Sequence, residues 1–164
     1  VAKPMRTCPE CGYTVKKTAK AQGAASRRKG AALERRFRSW LEGETGWEFK
    51  RTQAMGERQR GRIGDVMCMA GEWPFFAECK NREEDPPWSL TQAWQGVGPV
   101  ERWWDEAEEK ADGLLPLLLF TRNRVPVYAM VEGEGLRWWS DRFGAPSSYL
   151  RMPDGRTIFV LEDL

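Results

Sequence analysis

Apolar residues recur at helical spacing early in the chain. Leu33, Phe37, Trp40 and Leu41 fall on one face and predict a helix from Arg27 to Glu42, with Ser26 as its N-cap and Gly43 or Gly46 as its end. The period then changes. Trp47 to Arg51 alternates as a half-buried strand does, and Gln53 to Gly64, with three glycines and little apolar content, reads as a loop. Asp65 to Met69 and Trp73 to Lys80 read as two strands around a Gly71-Glu72 turn, glycine being favoured first in a two-residue hairpin loop. Pro86-Pro87 breaks the chain. Ser89 to Asp112 is mostly helical, interrupted at Gly96-Val97-Gly98-Pro99. Leu114 to Thr121 and Val125 to Val131 form a second strand pair across Arg122-Asn123-Arg124. From Gly133 onward only a Pro153-Asp154-Gly155 turn and a last strand, Thr157 to Leu161, stand out. Helix, three strands, helix and two strands, without internal repeat, predict an α/β domain with a mixed sheet. Residues 1–26, rich in Lys, Ala and Gly after Cys8-Pro9-Glu10-Cys11, read as a basic appendage to a domain spanning 27–164.

The first hairpin brings chemistry together. With Gly71-Glu72 as the turn, Ala70 pairs with Trp73, and the same register sets Asp65 opposite Glu78. Opposed Cβ atoms lie roughly 4.5–5.5 Å apart. Glu78 and Lys80 share a face, because strand side chains alternate. Two carboxylates that close repel unless a cation lies between them. A hard divalent ion answers that demand, since Mg²⁺ takes oxygen ligands and keeps several waters. The Cys79 backbone carbonyl is available as a third ligand. Lys80 is placed to orient attacking water or to stabilise charge on a phosphate. A surface hairpin on which Glu78 and Lys80 simply form an ordinary ion pair is the plainer alternative.

Charge and composition narrow the partners. The 164 residues carry a net charge of +2, yet residues 1–33 hold eight Lys/Arg against one acid, Glu10. A basic head on an acidic body points to a polyanion at one face. Histidine is absent, which excludes Ser-His-Asp and Cys-His catalysis, His-ligated zinc and an imidazole base. Catalysis must then run on carboxylates, lysine, thiolate or a metal. No apolar run reaches the ~18 residues of a membrane span. No apolar stretch follows the first charges in the manner of a signal peptide, and the expectation is a cytoplasmic protein with reduced thiols.

Three segments in order carry a family resemblance. They are Arg28-Lys29-Gly30-Ala31-Ala32-Leu33-Glu34-Arg35-Arg36-Phe37, then Gly64-Asp65-Val66 after a basic glycine-containing loop, then Glu78-Cys79-Lys80. Over roughly residues 27–131 the chain resembles the PD-(D/E)xK nuclease superfamily, and more narrowly the Hjc-type Holliday junction resolvases of archaea and phages. The resemblance implies a restriction-endonuclease-like core of order α-β-β-β-α-β, with a C-terminal extension over 132–164. It also implies a Mg²⁺-dependent endonuclease, with Mn²⁺ as a substitute, that acts as a homodimer on four-way DNA junctions. Asp65, Glu78 and the Cys79 carbonyl would hold the ion, Glu34 would support it directly or through water, and Lys80 would assist the attack on phosphorus. Gly64 stands where the motif names a proline.

Other residues leave choices open. Arg27, Arg28, Lys29, Arg58, Arg60 and Arg62 flank the acidic positions in sequence and are candidate phosphate contacts, which position nucleic acid without reading bases. Gln92 and Gln95 share a helix face and are either near the site or plain surface amides. Cys8 and Cys11 make half of a zinc ribbon, where a structural Zn²⁺ wants four ligands. An unmetallated knuckle, zinc shared between subunits and a reversible dithiol all fit them. Cys68 and Cys79 are expected to be core thiols. The nine tryptophans are expected mainly in the core or at a dimer interface rather than as base-stacking platforms. Besides junction resolution, cleavage of flaps, nicks or duplex ends and non-catalytic DNA binding are the alternatives.

Overall fold

The computed structural model describes residues 5–7, 14–16, 19–52, 64–69, 72–82, 87–162 and 164. At the N-terminus β1 (Met5–Thr7) and β2 (Thr14–Lys16) pair antiparallel as a small sheet of their own. Cys8 and Cys11 fall between them in the chain, outside the described residues.

Helix α1 runs from Ala19 to Thr45, about 40 Å at 1.5 Å per residue. It starts inside the segment expected to be an appendage, so Ser26 lies within the helix and does not cap it. The reason is propensity. Ala19-Lys20-Ala21-Gln22 and Ala24-Ala25 are strong helix formers, and the lone Gly23 costs only about 1 kcal/mol. The helix ends at the second candidate glycine. Gly46, at φ +70°, donates its N–H to the Glu42 carbonyl at 3.0 Å, and Thr45 Oγ1 donates to the Leu41 carbonyl at 2.6 Å.

Strands β3 (Phe49–Arg51), β4 (Val66–Cys68) and β5 (Phe75–Asn81) form an antiparallel meander. Two helices follow, α2 (Leu90–Trp94) and α3 (Pro99–Lys110), split at Gly96–Gly98 as predicted. They carry the chain over to β6 (Leu115–Thr121), which lies parallel to β5, and β7 (Tyr128–Val131) returns antiparallel to β6. The region after residue 132 departs from the expected order. There α4 (Gly133–Phe143) packs on the sheet while β8 (Tyr149–Arg151) and β9 (Thr157–Val160) extend it beyond β7. The resulting order is β3-β4-β5-β6-β7-β9-β8, seven described strands in which β5 and β6 are central. After α1 the element order is three strands, two helices, two strands, one helix and two strands, longer than the predicted α-β-β-β-α-β.

Helix α4 escapes the sequence pattern because it opens on Gly133-Glu134-Gly135. Gly135 is there for packing: a Cβ would sit 3.0 Å from a Phe75 ring carbon and 3.3 Å from Val131 Cβ. The helix thereby delivers Trp138, Trp139 and Phe143 to an aromatic cluster with Trp40, Trp73 and Phe75.

Both sheet faces are covered, which explains the unbroken apolar run in β6. Leu117 and Leu119 join the core under α1 and α4, while Leu118 and Phe120 join the core under α2 and α3. Alternation in β5 places Phe75, Ala77 and Cys79 on the α1 face. Phe76, Glu78 and Lys80 therefore face α3. Trp73, Trp88, Trp103, Trp104 and Trp139 are buried, and Trp94 is exposed. Among the described residues no helix is long and apolar enough to cross a membrane.

Candidate active site

The site forms where β4 parts from β5. Val66 pairs with Ala77, the register expected of a hairpin turning at Gly71-Glu72, and it sets Asp65 beside Glu78. The Asp65 backbone is held on both sides. Its N–H donates to the Ala77 carbonyl at 2.6 Å, and its carbonyl accepts from the Thr52 N–H at 3.1 Å. Its side chain then substitutes for the next rung of the ladder, because Asp65 Oδ2 accepts from the Cys79 N–H at 2.8 Å. In an antiparallel ladder a residue's N–H and C=O point to the same neighbour. The Cys79 carbonyl therefore faces the gap that Asp65 occupies.

Gly64 makes this departure possible. Its φ is +71°, and a Cβ would lie 2.5 Å from the Ala77 oxygen and 2.7 Å from the Ala77 nitrogen. Proline, fixed near φ −65°, cannot take that conformation, so the structure explains why the motif's proline is replaced here. Gly64→Ala is expected to destabilise the fold by about 2 kcal/mol or more, since it combines a strained φ with a backbone clash. Thermal denaturation checks this, and an unchanged midpoint would show that the loop has room to move.

Electrostatics single out the same residues. Burial, then the neighbouring Glu78 charge, pushes the Asp65 carboxyl up to about 7; Glu34 adds to the rise, while the Cys79 N–H and Lys80 work against it. Glu34 reaches this region from α1, 3% exposed, and Arg51 from β3 neutralises it through contacts to Oε2 at 2.6 and 2.7 Å. Lys80 lies between two acids, its Nζ 2.8 Å from Glu78 Oε1 and 2.9 Å from Glu106 Oε2 on α3. Burial opposes the lysine charge, but hydrogen bonds and charge from Glu78 and Glu106 outweigh it and hold the ammonium above its usual range. Cys79 is buried on the opposite face, and burial pushes its thiol well up, which rules it out as a thiolate nucleophile.

Arg51 and Glu106 enter without having been picked out from sequence as site residues. Arg51 had a signal, since it lies two residues after buried Phe49 and so faces inward with it. Glu106 had none until the crossover placed α3 over β5.

Other predicted residues have different fates. Gln92 contributes to a capping box, its Oε1 accepting from the Ser89 N–H at 3.1 Å while Ser89 Oγ accepts from the Gln92 N–H. Gln95 is the exposed C-cap of α2. Arg28 is exposed, and Lys29 Nζ donates to Asn123 Oδ1 at 2.9 Å. The Arg27 side chain, Arg58, Arg60 and Arg62 lie outside the described residues, as do Cys8 and Cys11. Cys68 and Cys79 are free thiols in or against the core.

The donor set suits a hard divalent cation. Among the described residues, no three His, Cys, Asp or Glu side chains converge as a ready-made cage. Asp65 and Glu78 form a pair, each with one carboxylate oxygen that takes no hydrogen bond from a described residue. Two carboxylates and a carbonyl, with further positions left to water, match the ligand habits of Mg²⁺. Burial first, and then the Glu78 charge, raises the Asp65 carboxyl, so a cation bound there would favour its charged form.

A three-stranded meander followed by a helical crossover to a parallel strand, with Asp, Glu-x-Lys and a helix-borne Glu at the parting strands, is the arrangement expected of the PD-(D/E)xK class. Residues 25–145 match the family model described as "Phage putative PDDEXK endonuclease". That match covers well over half of the chain, and the protein belongs to this family. Comparison with curated proteins and with solved structures gives no match.

Proposed function

We propose that this chain is a Mg²⁺-dependent DNA endonuclease that selects branched DNA and resolves four-way junctions by paired phosphodiester hydrolysis. The observation that carries the reading is the Asp65–Glu78 pair at the splayed β4–β5 edge, with the Cys79 carbonyl turned into the same gap and Lys80 beside it. Asp65, Glu78 and that carbonyl would hold the ion, and Glu34 would support it. When bound, a divalent ion stabilises negative charge on phosphate and makes hydroxide accessible near neutral pH.

The chain's own groups do the rest. Asp65 is positioned through its backbone and the Cys79 N–H, so its carboxylate needs no reorganisation when a phosphate arrives. Arg51 offsets the Glu34 charge and so limits repulsion of the incoming DNA. Lys80, held by Glu106, presents an ammonium at the charge that builds on the phosphate in the transition state. Preference for junctions, and a homodimer to make two symmetric cuts, are supported by the likeness of the three sequence segments to junction resolvases.

The test is a panel of four-way, flap, nicked and linear duplexes, each with Mg²⁺, with Mn²⁺ and with chelator. Paired cuts in the junction that need the metal are the expected result. Equal cutting of linear duplex would remove the junction assignment, and no metal-dependent cleavage of any substrate would remove the nuclease assignment.

A further inference from the structure

Strands β5 and β6 run parallel in register, Lys80 beside Phe120 and Asn81 beside Thr121, so both end at the same edge as the carboxylate pair. A set of cations gathers there from three parts of the chain. Arg82 follows β5, and its N–H donates to the Thr121 carbonyl at 3.3 Å. Arg122 and Arg124 lie in the β6–β7 turn. Arg28 and Lys29 of α1 are fastened to this edge, because Lys29 Nζ bonds Asn123 Oδ1 and Asn81 Nδ2 donates to the Lys29 carbonyl at 3.3 Å. The patch adjoins the candidate site, because Arg82 follows Lys80 and Asn81 at the end of β5.

Two features fit these arginines to phosphate, the first of which they share with other surface arginines such as Arg35 and Arg151. The first is pairing. Arg51 and Arg156 are committed to carboxylates, Glu34 in one case and Glu101 with Asp154 in the other. Among the described residues, Arg28, Arg82, Arg122 and Arg124 have no carboxylate partner. Arg122 stacks over Trp88 at 5.2 Å, with its Nε buried and unpartnered. The second is rigidity. The buried Thr121 hydroxyl donates to the Val125 carbonyl at 2.9 Å, the Val125 N–H closes back on the Arg122 carbonyl at 3.2 Å, and Arg124 takes the left-handed φ of +62°. A fixed turn that presents unpaired guanidinium groups suits the planar, multidentate recognition of phosphate.

We infer that the Arg122-Asn123-Arg124 turn, with Arg82 and Arg28, is a phosphate-binding surface that holds a DNA duplex arm as it leaves the carboxylate site. The inference rests on the nuclease reading for its substrate but not for its measurement. The variant is Arg82→Gln with Arg124→Gln, both exposed positions, and the control is Arg151→Gln on exposed β8 at the far edge of the sheet. Affinity of the full chain for four-way junctions of two unrelated sequences is followed by fluorescence anisotropy in Ca²⁺ at several salt concentrations. The double variant is expected to bind about tenfold more weakly to both sequences, with the slope of log affinity against log salt flatter by about 0.9 for each phosphate no longer neutralised. The control should match the wild-type chain. Unchanged affinity and slope in the double variant, or an equal weakening in the control, would overturn the surface. A wild-type chain that binds junctions by this slope criterion but never cuts them would overturn the nuclease reading and leave the surface standing.

Discussion

Asp65→Asn is expected to reduce cleavage by at least about 10³-fold while junction binding survives, and at the same time to make the metal-free protein more stable. The loss of rate follows from removing one of two carboxylates at the place where charge must be offset, an effect on the scale of deleting a preorganised charge-stabilising group. Binding survives because it rests on phosphate contacts to arginine and lysine, which the substitution leaves alone. Glu78→Gln should act in the same direction on cleavage. Either variant cutting at near wild-type rate under single-turnover conditions would end the assignment of the site.

The gain in stability follows from the pKa. The Asp65 carboxyl is raised from 3.8 to about 7 by folding, first through burial and then through Glu78. A raised carboxyl favours the folded state fully only below its unfolded pKa. Between pH ~4 and ~7 the unfolded chain has released the proton that the folded chain still holds, so the contribution to stability falls across that window and is gone above it. Asn carries no such proton and keeps an oxygen to accept from the Cys79 N–H. Without metal at pH 8 the variant should therefore melt several degrees above wild type, with the gap closing toward pH 4. Mg²⁺ should raise the wild-type midpoint by mass action and leave that of the variant nearly unmoved. A variant that melts below wild type at pH 8 would show that the Asp65 carboxylate is stabilised by interactions other than those described.

The register of Asp65 beside Glu78 is readable from sequence because period-2 alternation buries Val66 and Ala77 together, while the expected Gly71-Glu72 turn, with Ala70 opposite Trp73, lies partly outside the described residues. Strand alternation likewise separates Cys79 from Glu78. Tertiary packing decides the rest. No local pattern announces α4, whose Gly135 is explained only by the Phe75 ring it must clear. The start of α1 is misplaced by local reading because Ser26 is a good cap residue in isolation, whereas the alanine-rich stretch before it continues the helix. Glu106 looks like any charged residue on the outer side of α3, and its bond to Lys80 exists only because the β5–β6 crossover lays that helix across the active strand. Arg122 and Arg124 read as turn residues until α1 is seen fastened beside them. Side chains whose partners are close in sequence are legible, and those whose partners arrive through the crossover are not.

Lys80→Ala is the second substitution with a large expected effect, and it separates chemistry from affinity. Lys80 is 8% exposed and its ammonium bridges Glu78 and Glu106, so it is committed to carboxylates in the resting protein. A surface lysine that merely gripped DNA would be exposed and mobile. Lys80 is instead held in one place, which suits a group whose interaction strengthens as charge develops on the phosphate. Its removal should lower the single-turnover rate about 10²- to 10³-fold, with junction affinity in Ca²⁺ changed only a few-fold. Lys80→Arg restores the charge but replaces a compact ammonium by a planar fork between the same two acids, so it should recover only part of the rate. Rate and affinity diverge if Lys80 acts in the transition state and fall together if it acts in binding. Normal cleavage by Lys80→Ala at saturating protein, with affinity alone reduced, would reassign Lys80 as a phosphate contact and leave the carboxylate pair without a transition-state partner from β5.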